Sequence, residues 1–282
     1  MSHFASHFAS HLPYLIVTDI DHTLLNDAGQ LLPDNVAALA EAQARGATVV
    51  LATARSYIGA LPIHEALGLD TPLIVSNGTL VQDPGGRVLH TESIERATAR
   101  DIFRLFAETP HHWSVRRGAT AYLHPAFDTS RAPFDNRRYY MPTDDHTPFG
   151  DFTDIASLSL FGEDVAPFYA AHDWAALGLA PSYYAPSSYD PREAMSVISE
   201  RTSKGEAARW VRHYLGLDDA PVLALGDSPA DATMFPLGVG VAPANAPAEV
   251  RAAATWVGPH CDDGVVAAAI QRFVLTPDAV AV

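Results

Sequence analysis

The sequence predicts an α/β protein, in which a Rossmann-like parallel-sheet core carries an inserted α/β cap. Short apolar runs alternate with helical segments near the N-terminus, and the same alternation returns near the C-terminus. A stretch richer in aromatic residues and polar loops lies between them. Alternating strands and helices are typical of a parallel sheet, because each crossover helix covers one of its faces. We expect residues 13–91 and 199–282 to form the core, 92–198 the cap, and 1–12 a flexible tail.

The first part of the core contains three predicted strands, each a short apolar run of the kind that is buried on both faces of a sheet. A helix over 34–45, with Asp34 as a possible cap and Gly46 as its stop, separates the first two. Residues 79–91 are predicted to form a hairpin. The three strands are 14–18, 47–52 and 73–76.

The alternation resumes after Ser203 with a helix over 204–215 that ends before Gly216. The remaining core elements are predicted strands at 221–225 and 238–241 and helices at 246–253 and 264–273. Within the cap we expect helices at 97–108 and 165–177 and strands at 155–161 and 193–199.

Composition and charge narrow the class of protein. Apolar residues make up 48% of the 282 residues and charged residues 18%, as in globular proteins with a packed core. The formal net charge of −15 argues against nucleic acid or an anionic membrane as a partner. The only cysteine, Cys261, cannot form an internal disulfide, and no secretory signal or long apolar run is found. We therefore expect a cytoplasmic protein.

Asp19 and Asp21 directly follow the first strand. The ligand crevice of a parallel sheet lies outside the carboxyl ends of its strands, so both carboxylates are expected there. One can attack a substrate or hold a metal while the other donates and accepts protons. An Asp-rich turn after a strand is the alternative interpretation.

Thr53 follows the second strand and precedes Ala54 and Arg55. Its hydroxyl can donate a hydrogen bond to a phosphoryl oxygen. A threonine after a strand is more often a helix cap, and this residue alone favours that interpretation.

Lys204 is the only lysine among 18 lysine and arginine residues. A single retained lysine indicates a cramped place that needs a compact point charge, because the guanidinium group of arginine is larger, planar and forked. The alternative is a surface lysine that happens to begin a helix.

Asp227 and Asp231 follow the predicted strand at 221–225. Carboxylates that converge from neighbouring strand ends form a hard oxygen site, which suits Mg²⁺. Without a cation such a cluster would repel itself, so a metal is implied if these side chains meet.

Four parts of this chain resemble, in order, the four motifs of the haloacid dehalogenase-like (HAD) superfamily. They are Asp19-Ile-Asp-His-Thr-Leu-Leu25, Thr53, Lys204 and Gly226-Asp-Ser-Pro-Ala-Asp231. The long insertion between the second and third motifs looks like the α/β cap of the Cof-like sugar-phosphatase branch. His22 stands where the family usually has glycine. Further similarity to that branch lies in Ser76-Asn77-Gly78, Asn245-Ala246 and Asp263-Gly264-Val265.

The resemblance implies a Mg²⁺-dependent phosphatase that hydrolyses small phosphate monoesters, sugar phosphates first, through an aspartyl phosphate. Asp19 would be the nucleophile, and Asp21 the general acid and base. The metal would be held by Asp19, Asp21 (through its backbone carbonyl), Asp227 and Asp231, the last as a ligand or as a partner of the ligands. The phosphate would be bound by Thr53, Arg55, Asn77, Gly78 and Lys204.

Other activities on the same core are weighed against this one. Asp21 argues against a dehalogenase, which does not need a second aspartate, and the cap lacks the lysine of a phosphonatase. A phosphosugar mutase or phosphotransferase and a non-catalytic phosphosugar-binding regulatory module remain as alternatives. We expect a small phosphorylated metabolite as partner, and the oligomeric state stays open. The loop 131–150, which contains Arg137, Arg138, Asp144, Asp145 and His146, is interpreted either as the place that binds the hydroxyl groups of this metabolite or as a solvated connector.

Overall fold

The computed structural model describes residues 15–126, 140–142, 153–186 and 192–276. It divides into two compact units, a core unit (Met1–Gly85 with Ser203–Val282) and an inserted unit (Gly86–Thr202). The sequence-based boundaries, after residues 91 and 198, differ from these. The predicted tail 1–12 lies outside the described residues, and so does the loop 131–150 except for 140–142.

In chain order, the core unit first forms β1 (Leu15–Thr18), α1 (Pro33–Ala44), β2 (Thr48–Leu51), α2 (Tyr57–Ala66), β3 (Leu73–Val75) and β4 (Leu80–Gln82). The inserted unit forms β5 (Val88–Thr91), α3 (Arg96–Ala107), β6 (His112–Arg117), β7 (Thr120–Leu123), β8 (Tyr140–Pro142), β9 (Ile155–Gly162), α4 (Val165–Ala170), β10 (Leu179–Tyr184) and β11 (Glu193–Ser199). The core unit continues with α5 (Lys204–Tyr214), β12 (Val222–Leu225), α6 (Pro229–Ala232), β13 (Val239–Ala242), α7 (Ala248–Ala253), β14 (Trp256–Val257) and α8 (Val265–Ile270).

The core unit contains a parallel sheet of order β14-β13-β12-β1-β2, which confirms the predicted α/β fold class. In β1, Leu15 lies opposite Val222 on one side and Thr48 on the other. Every residue of β1 and β12 is buried, as expected for strands covered on both faces. After β1 the chain adds β2 on one side of β1. Much later it returns and adds β12 on the other side of β1. This reversal makes the β1/β12 pair a topological switch point, where such sheets bind ligands.

Two helix starts in the core unit differ in how they are fixed. α1 begins at Pro33 after an extended Leu32, so the prediction of Asp34 as its cap is wrong. Proline has a backbone angle that suits the first position of a helix, and this moves the start before Asp34. α5 begins after Ser203, whose Oγ accepts a hydrogen bond of 3.0 Å from the backbone N–H of Glu206. Lys204 is thereby fixed as the first residue of its helix.

The inserted unit has its own six-stranded sheet, of order β10-β11-β9-β6-β7-β8. Its described neighbours are antiparallel except β7 and β8, which are parallel. The predicted helix at 165–177 ends early, because the indole N–H of Trp174 turns back to donate to the carbonyl of Tyr169, at 2.8 Å. Trp174 is buried in a core that also includes Phe106, Trp113, Leu158, Leu160 and Val197. In the described part of the chain, no helix is both long and apolar enough to cross a membrane.

Candidate active site

Asp19 and Asp227 lie at the carboxyl ends of two adjacent strands. The backbone N–H of Asp19 donates to the carbonyl of Leu225 at 2.9 Å, so β1 and β12 stay paired up to the point where their polar residues begin. Asp19 is buried, with 5% of its surface exposed. The two carboxylates therefore share the switch point of the sheet, as the sequence predicts.

Lys204 joins two buried carboxylates. Its ammonium group donates to Oδ1 of Asp19 at 2.7 Å and to Oδ1 of Asp231 at 2.6 Å. Only 2% of Lys204 is exposed, so the alternative of a surface lysine is wrong. Burial alone would lower the pKa of Lys204, but the charges of Asp19 and Asp231 outweigh it and raise this pKa above its usual value. The lysine is charged in its pocket.

Asp231 is held by its own turn as well as by Lys204. Its Oδ2 accepts hydrogen bonds from the backbone N–H of Ser228 at 2.9 Å and from the Ser228 hydroxyl at 2.6 Å. A Cβ on Gly226 would lie 2.1 Å from the Cβ of Asp231, so only glycine leaves room for this fold of the chain. Ser228 was missed as a site residue, although it lies inside the motif that contains both aspartates.

A group of three carboxylates could hold a metal. Oxygen atoms of Asp19, Asp227 and Asp231 all lie within 4.8 Å of one another. Burial, and then the charge of Asp231, raises the pKa of Asp19. The same two causes raise the pKa of Asp227 to about 6, while a hydrogen bond of 3.1 Å from the Thr23 hydroxyl opposes them. These buried carboxylates repel one another, and their hard oxygen atoms fit a small divalent cation such as Mg²⁺.

Asp21 is bound by arginine in this structure. Nε of Arg55 donates to Oδ2 of Asp21 at 2.8 Å, and Nη2 donates to Oδ1 at 2.5 Å. A third bond, from Nη1 to the carbonyl of Gly59 at 3.1 Å, fixes the guanidinium group. Asp21 is more exposed than Asp19, with 46% of its side chain accessible. The two neighbouring aspartates therefore differ in both partner and burial.

Thr53 is fully buried after β2, and its hydroxyl oxygen accepts a hydrogen bond of 3.0 Å from the backbone N–H of Arg55. α2 begins only at Tyr57, after Ser56, so the interpretation of Thr53 as a helix cap is wrong. The hydroxyl instead stabilises the turn from which Arg55 reaches Asp21. Phosphate binding by Thr53 and Arg55 stays a prediction.

Asn77 and Gly78 form part of the turn after β3, and both have positive φ angles, 58° and 90°. The backbone N–H of Asn77 donates to the carbonyl of Thr53 at 3.0 Å. A Cβ on Gly78 would lie 2.3 Å from the carbonyl oxygen of Ser203, so this glycine lets the turn pack against the start of α5. Gly78 thus supports the position of Lys204, while phosphate binding by Asn77 and Gly78 stays a prediction.

Comparison with known proteins relates this chain to hydrolases. A family model described as haloacid dehalogenase-like hydrolase matches residues 16–270. The Phosphatase YwpJ of Bacillus subtilis is 28% identical, over 92% of this chain and 99% of that protein. The pyridoxal phosphate phosphatase YbhA of Escherichia coli is 27% identical, over 89% of this chain and 95% of that protein. A haloacid dehalogenase-like hydrolase structure from Bacteroides thetaiotaomicron shares the fold, with a TM-score of 0.72 and 21% identity over 92% of this chain and 98% of that one.

Proposed function

The chain belongs to the haloacid dehalogenase-like hydrolase family, and we propose that it is a Mg²⁺-dependent phosphatase of small phosphate monoesters, sugar phosphates first. The observation that carries this proposal is the buried lysine that joins Asp19 and Asp231 beside Asp227. Relatives that are named phosphatases support the class of reaction. A cytoplasmic location and a small phosphorylated metabolite as partner are part of the same proposal.

Asp19 and Asp227, together with the backbone carbonyl of Asp21, are the groups that would hold Mg²⁺ directly. One oxygen atom of Asp231 lies within 4.8 Å of those of the Asp19 and Asp227 carboxylates, but Lys204 engages Oδ1 of Asp231 and Ser228 engages Oδ2. We therefore assign Asp231 to orienting Lys204 and the ligands rather than to direct coordination. When bound, Mg²⁺ would offset negative charge on the phosphoryl group and on the attacking carboxylate.

Asp19 would attack the phosphorus atom through Oδ2, since Oδ1 is engaged by Lys204. A bond forms between this oxygen and phosphorus while the bond from phosphorus to the ester oxygen breaks. Once Arg55 has released it and it has taken a proton from solvent, Asp21 gives this proton to the leaving oxygen. It later takes a proton from the water that cleaves the aspartyl phosphate. The positive charge of Lys204 lowers the repulsion between the carboxylate and the dianionic substrate.

Arg55 also has a role in the proposed mechanism. It engages both oxygen atoms of Asp21, so at least one of these bonds must open before Asp21 can hand a proton to the leaving oxygen. A substrate phosphate offers the guanidinium group an alternative anionic partner of matching geometry. We propose that Arg55 moves from Asp21 to the phosphate when substrate binds.

The inserted unit is proposed as the part that selects the substrate. It has a sheet and an apolar core of its own, so its loops can differ without disturbing the residues of the core unit. Selectivity for small monoesters is tested by kcat/KM across hexose, pentose and triose phosphates, pyridoxal phosphate, nucleotides and phosphopeptides. A phosphopeptide that outperformed every small metabolite would contradict the proposed substrate class.

The reaction class is tested by phosphate release from p-nitrophenyl phosphate with Mg²⁺ and after chelation. We expect hydrolysis that stops on chelation and returns when Mg²⁺ is restored. Absence of hydrolysis together with tight sugar-phosphate binding would identify a non-catalytic binding module. A sugar product that keeps its phosphate at a new position would identify a mutase.

A further inference from the structure

A second group of potential metal ligands lies in the core unit, and the proposed phosphatase chemistry does not use it. It consists of Asp27, His260, Cys261 and Asp262, whose ligand atoms all lie within 4.8 Å of one another. Asp27 belongs to the segment between β1 and α1, and the other three residues precede α8. None of the four belongs to the carboxylate group of Asp19, Asp227 and Asp231. We call the four residues the sulfur site.

Three separations between ligand atoms of the sulfur site fit a tetrahedral metal centre. Sγ of Cys261 lies 3.4 Å from Oδ1 of Asp27 and 3.6 Å from Nδ1 of His260. The same Nδ1 lies 3.6 Å from Oδ2 of Asp262. Zinc bonds of about 2.0–2.3 Å at tetrahedral angles put neighbouring ligand atoms roughly 3.3–3.8 Å apart. These three separations fall in this range, while Nε2 of His260 and Oδ2 of Asp27, 3.9 Å apart, lie slightly beyond it.

The two segments that carry these ligands are tied together by hydrogen bonds. The backbone N–H of Asp27 donates to Oδ1 of Asp262 at 2.9 Å. Asn245 accepts from the backbone N–H of Cys261 at 2.9 Å and donates its amide to the carbonyl of His22 at 2.9 Å. The ligands are therefore held close together before any ion binds, which lowers the entropy cost of binding.

We propose that Asp27, His260, Cys261 and Asp262 form a Zn²⁺ site. One sulfur, one imidazole nitrogen and two carboxylate oxygen atoms suit this borderline-soft ion, whereas Mg²⁺ prefers oxygen atoms alone. Asp27, His260 and Asp262 are partly exposed and give the ion a route from solvent, while Cys261 is buried. The site lies beside the turn that follows Asp19, because His22 also binds Asp27, with 2.8 Å between Nδ1 and Oδ1.

Binding would exchange existing contacts for metal bonds. Burial, followed by the hydrogen bond to Asp27, raises the pKa of the Cys261 thiol to about 12, so without metal the sulfur keeps its proton. On binding the thiol releases this proton to solvent, and the thiolate bonds to the ion. Nδ1 of His260 must also give up the hydrogen bond of 3.2 Å that it accepts from the N–H of Asp262.

The test uses Co²⁺ as a spectroscopic probe of the full-length protein. Cys261 is the only cysteine of the chain, so a thiolate-to-Co²⁺ charge-transfer absorption can arise from no other residue. We expect this absorption to saturate at one equivalent and to disappear when Zn²⁺ is added, but not when Mg²⁺ is added. Cys261→Ser should remove it. His260→Ala should weaken Co²⁺ binding by at least about tenfold.

Two variants serve as controls. His213→Ala removes an exposed histidine that pairs with Asp218 at 2.9 Å and should leave the absorption and its affinity unchanged. Asp227→Asn alters the group of three carboxylates at the proposed phosphatase site. It should also leave this absorption unchanged, which separates the sulfur site from the proposed phosphatase. The inference is overturned if the wild-type protein shows no thiolate absorption at excess Co²⁺. It is equally overturned if His260→Ala binds with the affinity of the wild type.

Discussion

The ammonium nitrogen of Lys204 lies 2.7 Å from Oδ1 of Asp19 in a buried site, although 185 positions separate the two residues in the sequence. Burial disfavours both charges, and each one partly offsets the cost of the other. The pKa of Asp19 nevertheless stays raised, because burial and the charge of Asp231 outweigh the effect of Lys204. A further cation beside Asp19 would relieve this remaining repulsion, which is the electrostatic basis of the proposed Mg²⁺ dependence.

Lys204→Arg is predicted to lower kcat by more than about tenfold, which corresponds to roughly 1.4 kcal/mol in the barrier. The pocket leaves 2% of Lys204 exposed, and a forked guanidinium group cannot take the place of one nitrogen between two carboxylates. Steady-state kinetics measure the change in kcat, and thermal unfolding measures the stability of the variant.

A matched control for this variant is Arg209→Lys on the same helix, where the exposed Arg209 pairs with Glu206. It should keep wild-type kcat and stability, since exposed ion pairs contribute little. Wild-type activity in Lys204→Arg would show that the shape of the cation is unimportant.

Gly226→Ala is predicted to destabilise the protein by about 1–3 kcal/mol and to reduce activity. The new methyl group would overlap the Cβ of Asp231, at 2.1 Å, and would displace the carboxylate that orients Lys204. Gly59→Ala is the control, because its nearest neighbour would lie 3.5 Å away, an ordinary contact. Urea unfolding that places Gly226→Ala level with Gly59→Ala would contradict this account of the turn.

His64 is predicted to make the protein less stable as the pH falls below about 6.5. Burial lowers the pKa of this imidazole from its ordinary 6.5, although its hydrogen bond to the Thr71 carbonyl opposes the shift. At slightly acidic pH the unfolded chain therefore binds a proton that the folded chain does not, and acid favours unfolding. The free energy of unfolding, measured across pH 7.5 to about 5, should fall less steeply in His64→Gln. Equal slopes would assign the acid sensitivity to other groups.

The sequence predicted the parts of the site that local patterns encode. Asp19 and Asp227 follow apolar runs, and apolar runs between helical segments predict a parallel sheet whose strand ends meet. Lys204 stood out because it is the only lysine. The ion pair of Lys204 with Asp231 could not be predicted, since this contact depends on how α5 and α6 pack.

Local sequence patterns could not predict contacts between residues that lie far apart in the sequence. The pair of Asp21 and Arg55 spans 34 positions, and the contact of Asp27 with Cys261 spans 234. The short strands β6, β7 and β10 were also missed. β6 and β7 bury only two residues each and β10 only one. Cross-strand neighbours rather than local propensity specify such strands.

The central claim is that Asp19 carries the phosphoryl group during turnover, and the most direct measurement is to trap it in Asp21→Asn. This variant keeps the nucleophile but lacks the base that activates water, so the phosphorylated enzyme should accumulate. p-Nitrophenyl phosphate is the suitable substrate, because its leaving group needs no proton. After an acid quench, mass spectrometry should find one phosphoryl group on the peptide that contains Asp19, and none in the variant that also has Asp19→Asn. A phosphoryl group on another residue, or wild-type turnover with no trapped enzyme, would contradict the mechanism.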